Sequence, residues 1–206
     1  DRVVCVEETN PEWWGPDRIA VGATFVDDKG ATSKLDEFEV GDSFEDGDAV
    51  ASQPPGVLKE FLLDGAYPKT FVAMVAMAEK DLGGFSAFLQ KLWEAIEQHV
   101  QKILDALGAA AGAWLGAKIG GTLGTAVGGP LGTIIGIAAG LVLGALVGFL
   151  VQLAQDDVFE PQMAVVNLTS ADAIAAQGSV PIPVPPMTFY DFGGQYRTEL
   201  HWELVA

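Results

Sequence analysis

Apolar and polar residues alternate along several short stretches of the chain, a period of two that is typical of β-strands with one buried face. The clearest stretch is segment 195–205, where one face carries Tyr196, Thr198, Leu200, Trp202 and Leu204. Shorter strands are predicted at segments 3–6, 19–26, 35–40, 61–63, 71–77 and 163–168. Both ends of the chain are therefore predicted to be rich in β-structure.

Between these parts the apolar spacing changes to three and four residues, which predicts an amphipathic helix over 85–107. The apolar stripe consists of Phe85, Phe88, Leu89, Leu92, Trp93, Ile96, Val100, Ile103, Leu104 and Leu107. Polar residues such as Lys91 and Glu94 occupy the opposite side. Glycines at 83 and 84 separate this helix from the strands before it.

A glycine then recurs at every fourth position without a gap. The repeat consists of Gly108, Gly112, Gly116, Gly120, Gly124, Gly128, Gly132, Gly136, Gly140, Gly144 and Gly148. Residues spaced by four share one ridge of a helix, so a ridge of glycines lets a second backbone approach closely. Each glycine costs about 1 kcal/mol relative to alanine inside a helix, and close packing has to offset that cost.

Gly128, Gly129 and Pro130 divide the repeat into two arms, because glycine favours helix ends and proline favours helix starts. Each arm has about 20 residues, or roughly 30 Å of helix, which matches the hydrocarbon thickness of a bilayer. The pattern therefore predicts a helical hairpin that enters a membrane. The alternative is a hairpin packed inside the fold or in an oligomer interface.

The predicted fold class is α+β, an antiparallel β-sandwich interrupted by an α-helical insertion with a glycine-zipper hairpin. Residues 1–82 form the first part of the sandwich and residues 156–206 the second. The insertion spans 83–155, with the amphipathic helix at 85–107 and the hairpin at 108–152.

The segment Gly-Gly-Pro-Leu-Gly-Thr-Ile-Ile-Gly, at 128–136, resembles the glycine-zipper hairpins of bacterial envelope proteins and membrane-active toxins. The resemblance covers residues 106–152 and implies close helix packing rather than one activity. The flanking strands resemble C2-like and other calcium-dependent sandwiches.

The charge balance narrows the choice of partners. The chain carries 28 acidic against 11 basic side chains, a net charge of -17, which argues against nucleic acid and against simple docking on anionic lipid. The single cysteine, Cys5, excludes an internal disulfide and is predicted to be a buried strand residue. No nucleophile, P-loop or zinc-protease motif is present, so no enzymatic activity is predicted.

Carboxylates at the ends of predicted strands suggest calcium, which prefers six to eight oxygen ligands. Strand-end loops gather at one pole of a sandwich, so these acids could converge. The predicted ligands are Glu7, Glu8, Asp17, Glu79 and Asp81. The alternative interpretation is that they are solvated loop acids.

The sequence thus predicts a membrane-active protein, pore-forming or toxin-like, that inserts its glycine hairpin into a lipid bilayer. The alternative is a soluble binding or structural module that packs or forms homo-oligomers through the same segment. The first residues do not have the pattern of a secretory leader, so the chain is expected either to be cytoplasmic or to have had a leader removed before residue 1. A secreted or membrane-associated location is the favoured expectation, with a cytoplasmic one as the alternative.

Overall fold

The computed structural model describes residues 2–9, 17–51, 56–65, 67–80, 83–114 and 156–205, and side chains within the helix only up to residue 102. The strands are β1 (Arg2–Glu7), β2 (Asp17–Val26), β3 (Thr32–Phe44), β4 (Ala49–Ala51), β5 (Lys69–Glu79), β6 (Asp157–Val158), β7 (Gln162–Leu168), β8 (Ile182–Pro183), β9 (Met187–Asp191), β10 (Gly194–Glu199) and β11 (His201–Trp202). The helices are α1 (Phe85–Trp114) and α2 (Ala171–Gln177).

The first sheet, called here the helix-covered sheet, has the antiparallel order β3-β2-β5-β6, and β7 also pairs with β5. Its two central strands, β2 and β5, are buried along nearly their whole length. They are apolar on both faces because one face packs against α1 and the other against a second sheet. This double burial explains why β5 lacks the alternation of a half-buried strand.

Helix α1 forms the outer layer over the helix-covered sheet. Its apolar stripe, including Phe85, Leu89 and Ile96, joins Ala20 and Met74 of the sheet in one core cluster. Polar contacts fix the same helix to the edge strand β3. The Trp93 indole Nε1 donates to Thr32 Oγ1 at 3.1 Å, and Lys34 Nζ donates to Gln90 Oε1 at 2.9 Å.

Gly22 of β2 is where the helix and the sheet come closest. A Cβ atom built there would overlap Leu89 Cδ1 and lie 2.9 Å from its Cδ2. We expect Gly22→Ala to lower the free energy of unfolding by about 1–3 kcal/mol, because the side chain overpacks a buried contact. Urea unfolding of a double-mutant cycle with Leu89→Ala checks this. The glycine substitution should cost clearly less once Leu89 is truncated, and an unchanged cost would contradict this explanation.

The second sheet has the antiparallel order β4-β1-β10-β9 and packs against the other face of the helix-covered sheet. The core between the sheets contains Cys5, Phe25, Met77, Phe159, Phe189 and Tyr196. A small sheet of β8 and β11 lies beside this core, where the Trp202 ring is 6.0 Å from that of Phe61. The described residues thus form three layers: helix, sheet and sheet.

The fold class predicted from the sequence is wrong. The described residues are mostly β, arranged in several antiparallel sheets, with α1 and α2 as their only helices and no helical hairpin. The physical reason is the apolar stripe of α1, which needs an apolar partner. The helix-covered sheet supplies that partner, so α1 is a layer of the core and not part of a separate helical insertion.

The predictions of a helical hairpin and of membrane insertion are not supported. Within the described ranges, no helix is both long enough and apolar enough to cross a membrane. Helix α1 begins at the predicted residue, Phe85, and continues to Trp114, and it carries charged residues from Lys91 to Asp105.

Individual strands differ from the predictions in instructive ways. The predicted final strand divides at Leu200 into β10 and β11, which belong to different sheets. Residues 61–63 form no strand, and Phe61 instead packs against Phe71 with the two ring centroids 4.7 Å apart. Helix α2 was not predicted, although Ser170 caps its first turn and Gly178 ends it with a φ of 59°.

Candidate functional site

Five residues from separate parts of the chain meet where the two large sheets approach each other. We call Cys5, Thr9, Asp17, Glu79 and Tyr196 the buried polar cluster. Cys5 and Tyr196 come from the second sheet, Asp17 and Glu79 from the helix-covered sheet, and Thr9 from the segment that follows β1. Cys5, Asp17 and Tyr196 are essentially inaccessible to solvent.

The Asp17 carboxylate is the centre of the buried polar cluster. Its Oδ2 accepts a hydrogen bond from the Thr9 backbone N–H at 2.7 Å and another from the Tyr196 hydroxyl. The Thr9 hydroxyl donates to Glu79 Oε2. A buried carboxylate is tolerated only when donors replace its water shell, and here the donors are the Tyr196 hydroxyl of the second sheet and the Thr9 N–H of the segment after β1. The buried polar cluster therefore ties the two sheets together at this point.

Gly194 makes room for this arrangement at the start of β10. A Cβ atom there would lie 2.5 Å from Thr9 Cγ2 and 3.0 Å from the Thr9 backbone nitrogen. The glycine thus lets the backbone of Thr9 lie against β10 and direct its N–H at Asp17.

Burial keeps the Tyr196 hydroxyl and the Cys5 thiol protonated. Burial, and secondly the hydrogen bond to Asp17, raises the pKa of Tyr196 far above its ordinary value. Burial raises the pKa of the Cys5 thiol to about 11. The Cys5 thiol is not an activated nucleophile, because the thiolate is the reactive form and burial disfavours it. The Tyr196 hydroxyl is likewise held in its protonated form. The hydrogen bonds of the arrangement join the two sheets.

The raised pKa values make stability sensitive to alkali. The unfolded chain loses its Cys5 proton near pH 9.0 whereas the folded chain holds it to about 11. The contribution of the protonated Cys5 thiol to folding stability is therefore complete below pH 9 and is lost as the pH rises through 11. The raised pKa of Tyr196 acts in the same direction. We expect melting temperatures to fall over this window, and to fall less in Cys5→Ala. Equal slopes for both proteins would contradict a role for the thiol.

A second polar site lies at the start of α1. The Asp156 carboxylate is buried and accepts hydrogen bonds from the backbone N–H groups of Gly83, at 2.6 Å, and Phe85, at 3.1 Å. The first helical N–H groups have no partner within their helix, so a carboxylate is favoured there by hydrogen bonding and by the helix dipole. We call this contact the Asp156 clasp, because it joins the chain before α1 to the chain just before β6.

The predicted calcium ligands are only partly brought together. Asp17 and Glu79 both contact Thr9, whereas Glu7 is exposed in β1. The Glu8 backbone N–H donates to Asp46 Oδ1 at 2.9 Å, and Asp81 lies outside the described residues. Across the described ranges, no group of three or more His, Cys, Asp or Glu side chains is arranged to hold a metal ion. The calcium site stays a prediction.

The glycine repeat falls mostly outside the described residues. Gly108 and Gly112 lie in α1, so the helix does continue into the repeat. The remaining predicted positions lie outside the described residues: Gly116, Gly120, Gly124, Gly128, Pro130, Gly132, Gly136, Gly140, Gly144 and Gly148.

Sequence reasoning missed Thr9 and Tyr196 as partners of Asp17. Tyr196 had a visible signal, since it occupies the buried face of an alternating strand and its hydroxyl needs a partner there. Asp156 was placed at the start of the second part of the sandwich, and nothing in its local sequence indicates that Gly83 and Phe85 are its partners.

Comparison with known proteins adds no identity to this geometry. No protein-family model, no curated protein and no solved structure matches the chain.

Proposed function

We propose that the chain is a non-catalytic structural module that assembles with copies of itself through the glycine-repeat stretch, residues 108–148. In this role the β-rich body acts as an anchor. It holds α1, which leads into the repeat, and it binds the residues that follow the stretch.

The Asp156 clasp is the observation that carries this proposal. A single buried carboxylate accepts N–H groups from both Gly83 and Phe85, and the next residues, Asp157 and Val158, pair with β5. Both ends of the region that contains the repeat are thereby fixed to the same corner of the helix-covered sheet. A module that presents a small-residue segment to other copies needs such a fixed base.

The chemistry of the described residues supports the same role. Polar groups of the buried polar cluster form hydrogen bonds with one another across the two sheets. Its thiol and phenol are held in their protonated, unreactive forms. The regular spacing of the glycines favours backbone-to-backbone packing over recognition of a small ligand.

Sedimentation velocity of the full chain tests the proposal. Gly124→Leu should yield a smaller species than the wild type, because a bulky side chain blocks close backbone approach. Gly124→Ala is the matched control and should assemble like the wild type. Circular dichroism should show that both variants keep their strand signal.

Two results would overturn this proposal. One is identical sedimentation of the wild type and Gly124→Leu. The other is flotation of the wild type with liposomes that is lost in Gly124→Leu, since the repeat would then act on lipid and not on a second copy.

A further inference from the structure

The two edges of the helix-covered sheet differ in how they are protected. Edge strand β3 carries many charged side chains: Lys34, Asp36, Glu37, Glu39 and Asp42. Its register with β2 shifts at several positions. Charges and irregular pairing are the devices by which natural sheets prevent addition of a foreign strand.

Strand β7 forms the opposite edge and has none of these devices. Its sequence, Gln-Met-Ala-Val-Val-Asn-Leu, contains no charged residue and no proline. It pairs in unbroken register with β5, from Lys69↔Leu168 to Val75↔Gln162. Among the described residues no strand pairs with its other side, which we call the free edge.

Two apolar side chains beside the free edge are left accessible. Met163 is 37% exposed and Val165 is 40% exposed. Their register partners on β5, Met74 and Val72, are fully buried on the face that α1 covers. Met163 and Val165 therefore lie on that same face, but beyond the helix, which contacts β2 and β3 instead.

We propose that the free edge of β7 is a self-association site, at which β7 of a second copy of this chain adds in antiparallel orientation. Antiparallel pairing of a strand with itself is self-complementary, because a two-fold axis gives each copy the same contacts. An axis at Val165 places the two Val165 side chains opposite each other and Met163 opposite Asn167 of the second copy. The two Val165 side chains then cover one another, and each Met163 lies beside Asn167 of the other copy.

Charge opposes a second copy less at this edge than at the acidic edge strand β3. The chain has a net charge of -17, so two copies repel each other over most of their surfaces. The acidic strand β3 is three strands away from β7, or about 14 Å at the usual strand spacing. That distance exceeds the Debye length of about 8 Å at physiological salt, so the acids of β3 are screened from a partner at β7.

Cross-linking tests this contact directly and without reference to the glycine repeat. Directly opposed residues in antiparallel strands have Cβ atoms about 4.5–5.5 Å apart, close to the separation a disulfide needs. Val165→Cys in a Cys5→Ala background should form an intermolecular disulfide under mild oxidation, seen on a non-reducing gel. Val6→Cys in the same background is the matched control, because Val6 is 43% exposed on β1, which lies inside its sheet.

A second pair of variants keeps Cys5 intact. In the Gly124→Leu chain, Val165→Lys should weaken the remaining dimer at least tenfold in sedimentation equilibrium, whereas Val6→Lys should leave it unchanged. Thermal melts confirm that both lysine variants fold. The proposal is overturned if Val165→Cys cross-links no better than Val6→Cys, or if the two lysine variants dimerise equally well. If Gly124→Leu sediments like the wild type while the Val165 variants behave as expected, only the proposed role of the glycine repeat is contradicted.

Discussion

Replacing Lys69 with methionine is expected to lower the free energy of unfolding by about 3–5 kcal/mol, because it leaves a largely buried carboxylate without its counter-charge. Lys69 is 1% exposed, and its Nζ lies 2.5 Å from Asp28 Oδ2, in a side chain that is 13% exposed. The ammonium group also lies 5.7 Å from the centre of the Tyr67 ring. Urea unfolding followed by circular dichroism measures the loss.

The neighbouring pair of Lys29 and Asp64 provides a matched control. Its two atoms lie 2.8 Å apart, but both side chains are largely exposed. Water and salt screen exposed pairs, so Lys29→Met should unfold nearly like the wild type. If Lys69→Met and Lys29→Met cost the same, burial does not set the strength of the pair. Adding Asp28→Asn to Lys69→Met should recover part of the loss, since the uncompensated charge is then removed.

The second large effect is expected for Asp156→Ala. The substitution leaves the N–H groups of Gly83 and Phe85 without their acceptor, and each unsatisfied buried donor costs about 1–3 kcal/mol. We therefore expect a loss of about 2–6 kcal/mol, with α1 opening before the sheets. Amide hydrogen exchange in the first turns of α1, compared with exchange in β2, separates these two events.

The control for Asp156 is Ser170, a helix cap that accepts one solvent-exposed hydrogen bond. Ser170 accepts from the Ala173 N–H at 3.1 Å at the start of the exposed helix α2. Ser170→Ala should cost about 1 kcal/mol. Uniform faster exchange throughout the protein in Asp156→Ala would show that the clasp has no special effect on α1. The same variant should also weaken assembly if the clasp anchors the glycine repeat.

Local patterns were sufficient for some of the fold. The period of two around Tyr196 predicts its buried face, and the period of three and four predicts the first residue of α1. These features depend only on neighbours in sequence. The hairpin prediction rested on the glycine spacing and on the break at Gly128, Gly129 and Pro130, and the described residues contain no helical hairpin. The apolar stripe of α1 packs on β-strands, and no spacing within the helix indicates which kind of partner covers it.

The candidate sites depend on contacts that sequence patterns do not contain. The sequence predicted Asp17 as a calcium ligand. Its hydrogen-bond partners are Thr9 and Tyr196, and the tyrosine lies at the other end of the chain. The hydrogen bonds of Asp156 likewise cross the whole region between Phe85 and β6. Such pairings follow from the register of strands, which is set by the packing of the complete sheets.

The pairing of β1 with β10 also determines the order in which the protein can form during synthesis. Arg2 lies opposite Glu199, and their side chains form an ion pair at 2.8 Å. The hairpin of β2 and β3 can close as soon as residue 44 has left the ribosome, and β1 can pair with β4 once residue 51 has followed. The other edge of β1 has to wait for β10, so its backbone groups stay unpaired on that side until residues 194–199 have been synthesised, and an unpaired strand edge can pair with other chains during this interval.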